Sequence, residues 1–549
     1  MRPPRGHLLR RRDVLRLAAA GAAGVLTGCP GVASSDPTLP LPDVVLHGQD
    51  VALGHRLRDG GAGEPAREVE LECAVIGAGV AGLSCAWRLR REGISPPLFE
   101  LGQAPGGNAR SGSNAVSAFP WGAHYLRAPT VEHPALERFL EEAGVLRGRD
   151  AAGQLDWDTR AVCASPLERC FLGGVWSEGL LPAGHEPADR EQLERFAAEV
   201  ERMAGLRGAD GRRVFALPLE ASSRDPEWLA LDARSFASWL DEQGYTRPHV
   251  RWYFDYACRD DYGCTSETTS AWAGLHYFCA RHTDDPTRDV ALTWPEGNGR
   301  LVRLLTESQG GAEVRGRSLC LRLEPGAPGE PSAALIYHAE ADELVRYRVR
   351  HLVWAGPRFQ LKRLLAEPPP GLEGFSYSPW LVVNATLSRA PGGYGAPLSW
   401  DNVPRESESL GYVVANRGAQ PQEPCVVTWY RPFCDPEPAR ARELLYALGP
   451  AEIQELVLED LFGMHPTLEG RVRSLDAWRW GHALIRPTPG FLWGPARQAA
   501  VEPLGSLLCA NSDQSGLPLF EEAFYRGVLA GERVLAAAGK PSNSLLERS

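Results

Sequence analysis

Lysine is all but missing from this chain of 549 residues: only Lys362 and Lys540 occur among 58 Lys and Arg. Chemistry that needs a lysine amine therefore has two positions to draw on. The twelve cysteines contain no C-x-x-C pair, and the thirteen histidines no H-x-x-x-H or H-E-x-x-H. Those absences remove the common zinc and thiol–disulfide arrangements. Cys258 and Cys264, which flank Arg259 to Gly263, are the one pair close enough to consider together. Most of the others, Cys73, Cys85, Cys320 and Cys509 among them, are expected in the core. The formal net charge is −11, and an acidic surface argues against nucleic acid as a partner.

What is present begins with a basic start. Arg10-Arg11-Arg12-Asp13-Val14-Leu15-Arg16 precedes an apolar run from Leu17 to Leu26, too short to cross a bilayer as a mature helix. It resembles a twin-arginine export signal. Leu26-Thr27-Gly28-Cys29 resembles a lipoprotein box with Cys29 as the lipidated residue. The two resemblances imply residues 1–29 as a signal, the twin-arginine export machinery as a partner, and a periplasmic protein held at the membrane by a lipid anchor. The signal carries six Arg and one Asp, so the remainder stands near −16 (−11 − 5). Residues 30–66, rich in Pro, Gly, Ala and Asp, are expected to be a tether. Its segments Val44–His47 and Val51–Leu53 are apolar enough to dock on the body.

The rest is organised around Cys73-Ala74-Val75-Ile76-Gly77-Ala78-Gly79-Val80-Ala81-Gly82-Leu83. A short apolar strand runs into glycines at G-x-G-x-x-G spacing and then into a helix, the pattern of a dinucleotide-binding turn. Gly77 permits the tight turn, Gly79 lets a pyrophosphate approach the backbone, and Gly82 lets helix and strand pack closely. The helix N-terminus faces the phosphates. A second strand ends in Glu100, 18 residues beyond Gly82, where a ribose hydroxyl acceptor belongs. An acid there argues against a 2′-phosphorylated cofactor.

Six residues on come Gly106 and Gly107, within Gly106-Gly107-Asn108-Ala109-Arg110. The paired glycine after a ribose acid resembles the flavin-containing amine oxidoreductase superfamily, which includes monoamine and polyamine oxidases, protoporphyrinogen oxidase and phytoene desaturases. Ala104 and Asn108 stand where that family's R-x-G-G-R has arginines. Phe119 to Leu126 resembles the family's strand past the flavin, and Thr293 to Leu301 its Pro-x-Gly-Gly step. Val314 matches a valine placed against the adenine; Ala355-Gly356-Pro357 matches the A-x-P exit. Near the end, Asp513 takes the place of an acid that binds the ribityl chain.

The resemblance implies an α/β fold: a discontinuous Rossmann-like FAD-binding domain interleaved with an α+β substrate domain. Residues 67–130, 291–360 and 481–540 would form the FAD domain, 131–290 the helical part of the substrate domain, and 361–480 its sheet. In the helical part, Asp255, Asp260, Asp261 and Tyr262 are expected to be helix caps and surface charges. The implied cofactor is non-covalent FAD, and the partners a small-molecule substrate and an electron acceptor, oxygen or a membrane carrier.

The implied reaction is hydride abstraction from a small substrate, as in amine oxidases. The family's amine oxidases hold a lysine near flavin N5, and that position here is Asn384. Carbon–carbon dehydrogenation, as in the desaturases, therefore stays open, as does a non-enzymatic ligand-binding lipoprotein. His124, two residues past Gly122 on the strand near the flavin, could orient or deprotonate the substrate while Asn384 holds water or substrate. A histidine satisfied in the core beside Tyr125 is the other reading of the same residue.

Overall fold

The computed structural model of the protein describes residues 40–60, 63–163, 167–181, 186–540 and 542–547. They belong to one compact unit, Leu39–Ser549. The expected signal, with Cys29, lies outside the described residues.

In chain order, the elements that position the site begin with β1 (Val44–His47), α1 (Val51–Asp59), β2 (Arg67–Ile76), α2 (Val80–Arg90) and β3 (Leu98–Phe99). Helices α3 (Pro248–Tyr262) and α4 (Ala271–Cys279) follow, then β4 (Val314–Arg315), β5 (Ser318–Glu324), β6 (Ser332–His338) and β7 (Glu343–Trp354). The chain closes through β8 (Tyr377–Leu387), β9 (Cys425–Pro432), β10 (Val472–Ile485), β11 (Leu508–Cys509) and α5 (Phe520–Ala537).

Two sheets carry the architecture. The first is a Rossmann-like layer in which β4, β3, β2 and β7 run parallel, with β11 parallel to the end of β7. An antiparallel pair, β6 and β5, extends it along the first half of β7. Cys73 to Ile76 of β2 are buried on both faces, as a parallel strand covered by helices must be. Helices α2 and α5 pack tightly on each other because Gly527 and Gly531, one turn apart, present no Cβ. A methyl at Gly527 would collide with the Ala81 carbonyl.

The second sheet has eight strands and runs β1, β10, β8, β9, then Tyr412–Val414, Asp401–Pro404, Glu168–Leu172 and Val175–Glu178. Central β8 is buried at every residue, and its side chains sort by the strand's period of two. Leu381, Val383, Ala385 and Leu387 face the helices that include Pro450–Met464. Trp380 and Val382 face an aromatic cluster with Trp121, Tyr430, Trp478 and Trp480.

Within the expected tether, the two apolar segments expected to dock do so, and they are regular elements of the body rather than parts of a linker. Strand β1 is the edge of the eight-stranded sheet, parallel to β10, with Val44 opposite Leu475 and His47 opposite Trp478. Helix α1 packs on β5 through Leu53, which meets Leu319 and Tyr337. The apolar residues of this stretch outweigh its proline and glycine content. The sheet of the substrate half also runs past residue 480, to Ile485.

Candidate active site

Between the two sheets lies a cleft of about 470 Å³ whose lining includes Gly77, Gly79, Glu100, Gly106, Gly107, His124 and Asp513. Gly77 sits at φ +103°, a conformation that favours glycine, and its N–H donates to the Phe99 carbonyl at 2.7 Å. A Cβ at Gly82 would strike the Gly77 carbonyl oxygen, so Gly82 secures the turn without lining the cleft. Gly79 and Gly107 face each other. A Cβ on Gly107 would stand 3.3 Å from Cα of Gly79, and one on Gly79 3.8 Å from Cα of Gly107. Two glycine turns thus form a bare backbone cradle at the N-terminus of α2, which carries no side-chain cap. Such a cradle fits a pyrophosphate.

Glu100 completes the turn. Ala78 N–H donates to its Oε2 at 2.8 Å and Gly102 N–H to its Oε1 at 2.9 Å. Each carboxylate oxygen keeps a second lone pair, enough for ribose hydroxyls. Arg110, which sequence reasoning passed over, stands 3.8 Å from Glu100 Oε1, packs over the Trp478 ring and lines the cleft. It is the only cation of the Gly106–Arg110 motif, and that was the available signal.

At the other end, Asp513 Oδ2 accepts from Arg358 N–H at 2.8 Å and from Tyr377 O–H at 2.6 Å. Burial pushes its carboxyl above the usual range. The N-terminus of α5 borders the cleft and has no side-chain cap. Glycine cradle, ribose acid, second acid and open helix end fit a dinucleotide cofactor laid along the cleft.

Two expected residues are placed elsewhere. Val314 is half-buried on β4, packs against the core beneath the Rossmann sheet and does not line the cleft. Asn384 lies on the cleft-side face of β8, as strand parity requires, but the segment Phe119–Trp121 covers it. Its Nδ2 donates to the Pro120 carbonyl at 3.0 Å, and its Oδ1 accepts from Thr428 Oγ1 at 2.7 Å. With both ends taken and the side chain fully buried, it cannot hold substrate; it is a core residue.

His124 does face the cleft, and also a polar chamber of about 330 Å³ that opens beside it. Its Nδ1 lies 3.3 Å from the Gly122 carbonyl oxygen. Nδ1 must therefore carry the proton, and Nε2 keeps its lone pair. Rings of Tyr125, Trp400 and Tyr430 surround the imidazole. Burial among them lowers its pKa to about 4.

The acidic patch corrects a second expectation. Asp260 and Asp261 are not surface charges: they end α3 at the cleft wall. Arg281 pairs with Asp261 at 3.3 Å and with Glu521 at 3.6 Å. Among the described residues no ion pair or side-chain hydrogen bond reaches Asp260. Burial first, then the charge of Asp261, raises its pKa to about 7. Across the chamber, Asp401 accepts from Tyr256 and Tyr430 hydroxyls at 3.4 Å each. Burial holds it well above the carboxylate range, and Glu168 completes the wall. The sequence offered one signal for this site: two adjacent acids in a helix's last turn, where the macrodipole disfavours them.

Cys258 and Cys264 are free and buried; Cys264 Sγ accepts from Arg486 Nε at 3.3 Å. No cluster of metal-ligating residues occurs among the described residues.

Comparison with known proteins agrees with this geometry at the level of fold. The family of NAD(P)-binding Rossmann-like domains matches residues 75–143. No curated protein matches the chain. Among solved structures, putrescine oxidase bound to putrescine is similar over 85% of this chain and 100% of its own, at 16% identity and TM-score 0.61. Cyclohexylamine oxidase from Brevibacterium oxydans IH-35A is similar over 86% and 100%, at 15% identity and TM-score 0.62. A protein named for protoporphyrinogen oxidase, from Exiguobacterium sp. 255-15, covers 85% and 100% at 13% identity and TM-score 0.57.

Proposed function

We propose that the protein is an FAD-dependent oxidoreductase that oxidises a cationic amine. One observation carries the substrate class: a carboxyl-rich, tyrosine-walled chamber opens off the glycine-lined cleft. Asp260, Asp401 and Glu168 line the chamber, Asp261 and Glu521 line the adjoining cleft wall, Arg281 reaches both, and Arg127 pairs with Asp289 at the rim. Carboxylates and aromatic faces together attract an ammonium group. The same wall would disfavour an uncharged polyene, so amine oxidation is preferred over carbon–carbon desaturation. The solved amine oxidases of similar fold lend support.

Flavin, when bound, accepts the two electrons and the hydrogen lost from the carbon next to nitrogen. The chain's residues do the rest. Asp261 and Glu521, neutralised in part by Arg281, set the field of the cleft. Asp260, with its pKa near 7, is matched to take the ammonium proton and free the nitrogen lone pair. His124, neutral at physiological pH, orients the nitrogen through the Nε2 lone pair. The resulting iminium takes up water and yields a carbonyl compound and the shorter amine or ammonia. An acceptor, oxygen or a membrane carrier, would take up those electrons. The basic start and Cys29 support a lipid-anchored periplasmic location for this chemistry.

The test is anaerobic titration of the purified yellow protein with simple mono- and diamines. Bleaching of the flavin band together with carbonyl product supports the proposal. A flavin-loaded protein that no amine reduces overturns it.

A further inference from the structure

The stretch from Gly48 to Asp59 joins the two sheets across one end of the cleft. Strand β1 belongs to the eight-stranded sheet. Helix α1, three residues later, packs on β5 of the Rossmann sheet. His47 ties the strand down through Asp476 at 2.8 Å and lies against the Trp121 ring. Asp50 starts the helix and ties it down: its carboxylate caps Leu53 N–H at 2.9 Å and pairs with Arg317 of the Rossmann half at 3.1 Å. Arg56 lies over the Tyr337 ring at 3.8 Å.

Between these anchors, Gln49, Gly54 and Leu57 line the cleft, together with Glu100, Leu101, Leu319 and Cys320. That is the ribose-acid end, away from the acidic chamber. Gly54 leaves room there, for a Cβ would already touch Leu101 at 3.6 Å. Val314, the residue expected beside the base, is turned away.

We infer that residues 48–57 form a clamp over the adenosine end of the bound dinucleotide, with Leu57 and Gln49 facing the base and ribose. This rests on the dinucleotide reading of the cleft and adds a binding element from outside the Rossmann motif. Because the clamp is pinned to both sheets, the adenosine end cannot leave until α1 lifts from β5. Its anchors are a cap, one ion pair and a few apolar contacts, so it opens locally without the body unfolding.

Two measurements test the clamp. The first is tryptic cleavage after the exposed Arg56 and Arg58 of the full chain freed of bound flavin, with and without added FAD or ADP. ADP carries the adenosine end alone, and the clamp requires it to slow this cut at least tenfold, as FAD does. The second is the rate at which flavin fluorescence appears after dilution of the yellow protein. Asp50→Ala, which loses cap and ion pair, should release flavin at least tenfold faster. Asp50→Asn, which keeps a capping side chain, should fall between. A colourless protein protected by ADP would keep the clamp and sink the flavin. A yellow protein with no protection and unchanged release in Asp50→Ala would sink the clamp and keep the flavin. A protein protected by neither ligand overturns the clamp outright.

Discussion

Arg281 donates to Asp261 across 3.3 Å, while Asp260, the residue before it, makes no ion pair among the described residues. Both acids occupy the last turn of α3, where the helix dipole repels negative charge. Burial first, then the charge of Asp261, raises the Asp260 pKa to about 7, while at Asp261 the ion pair with Arg281 offsets part of the same burial. The pair is thus divided into a structural carboxylate and a titrating one.

A pH dependence follows. If Asp260 takes the substrate proton, kcat/KM should rise with pH through about 7 as its carboxyl ionises. Asp260→Asn should remove that acid limb and lower the plateau by about 10²–10⁴-fold. The stability effect has the opposite sense. A carboxyl whose folded pKa exceeds its unfolded value favours folding when protonated, so stability falls as pH rises from about 4 to about 7. Asp260→Asn should therefore raise Tm more at pH 8 than at pH 5. Parallel pH profiles of Tm and kcat/KM for the two proteins check both.

Arg281 is the counterweight. Removing it strands Asp261 and Glu521, each at most 6% exposed at its side chain. Loss of one partner of a buried ion pair costs about 3–5 kcal/mol. Arg281→Met should lower stability by that amount at pH 7, measured by urea unfolding. The loss should shrink at pH 5, where the stranded carboxyls can protonate.

The legible parts of this protein were those written locally. Gly77, Gly79, Gly82 and Glu100 lie within one strand–turn–helix–strand unit, and spacing alone orders them. The cleft's acids were not legible, because Asp260, Asp401 and Glu521 come from three distant elements that only the fold brings together. Asn384 shows the limit of alignment by strand. Its parity was right, but whether a side chain reaches the cleft depends on the segment lying over it, here Phe119–Trp121. Residues 40–59 were legible in part: Val44–His47 and Val51–Leu53 read as apolar enough to dock, but their partners, Leu475 to Trp478 and Leu319, lie far along the chain and only the fold supplies them.

The cradle makes a clean prediction. Gly79 has φ −74° and ψ −176°, open to any residue, and a Cβ there meets nothing closer than 3.8 Å. Gly79→Val should therefore fold with near-normal stability, yet its branches fill the gap facing Gly107 that a pyrophosphate needs. The variant should be purified colourless, with a circular dichroism spectrum like that of the wild type. A yellow Gly79→Val would remove the phosphates from this turn.

Export is tested independently of chemistry. Replacing Arg11 and Arg12 together by lysine should leave the protein in the cytoplasm. Cys29→Ala should release it from the membrane while keeping it exported. Fractionation and blotting check both, and periplasmic accumulation of the double-lysine form would end the twin-arginine assignment.

His124 is a sharper case, because its two readings now differ in pH. Its pKa of about 4 keeps it neutral across the working range, and a base that weak holds a proton poorly at pH 7. An orienting role survives this; a general-base role does not. His124→Gln keeps an amide able to accept one hydrogen bond, so flavin reduction by an amine should slow by less than about tenfold. The acid limb near pH 7, assigned to Asp260, should stay where it is. The folded protein resists protonating His124, so stability is lost as pH falls from the ordinary histidine value of about 6.5 toward 4. His124→Gln should remove that part of the acid sensitivity. Stopped-flow reduction and Tm between pH 4 and pH 8, at full FAD occupancy, decide the matter. A rate loss above about 10²-fold with a displaced acid limb would return the proton to His124 and take it from Asp260.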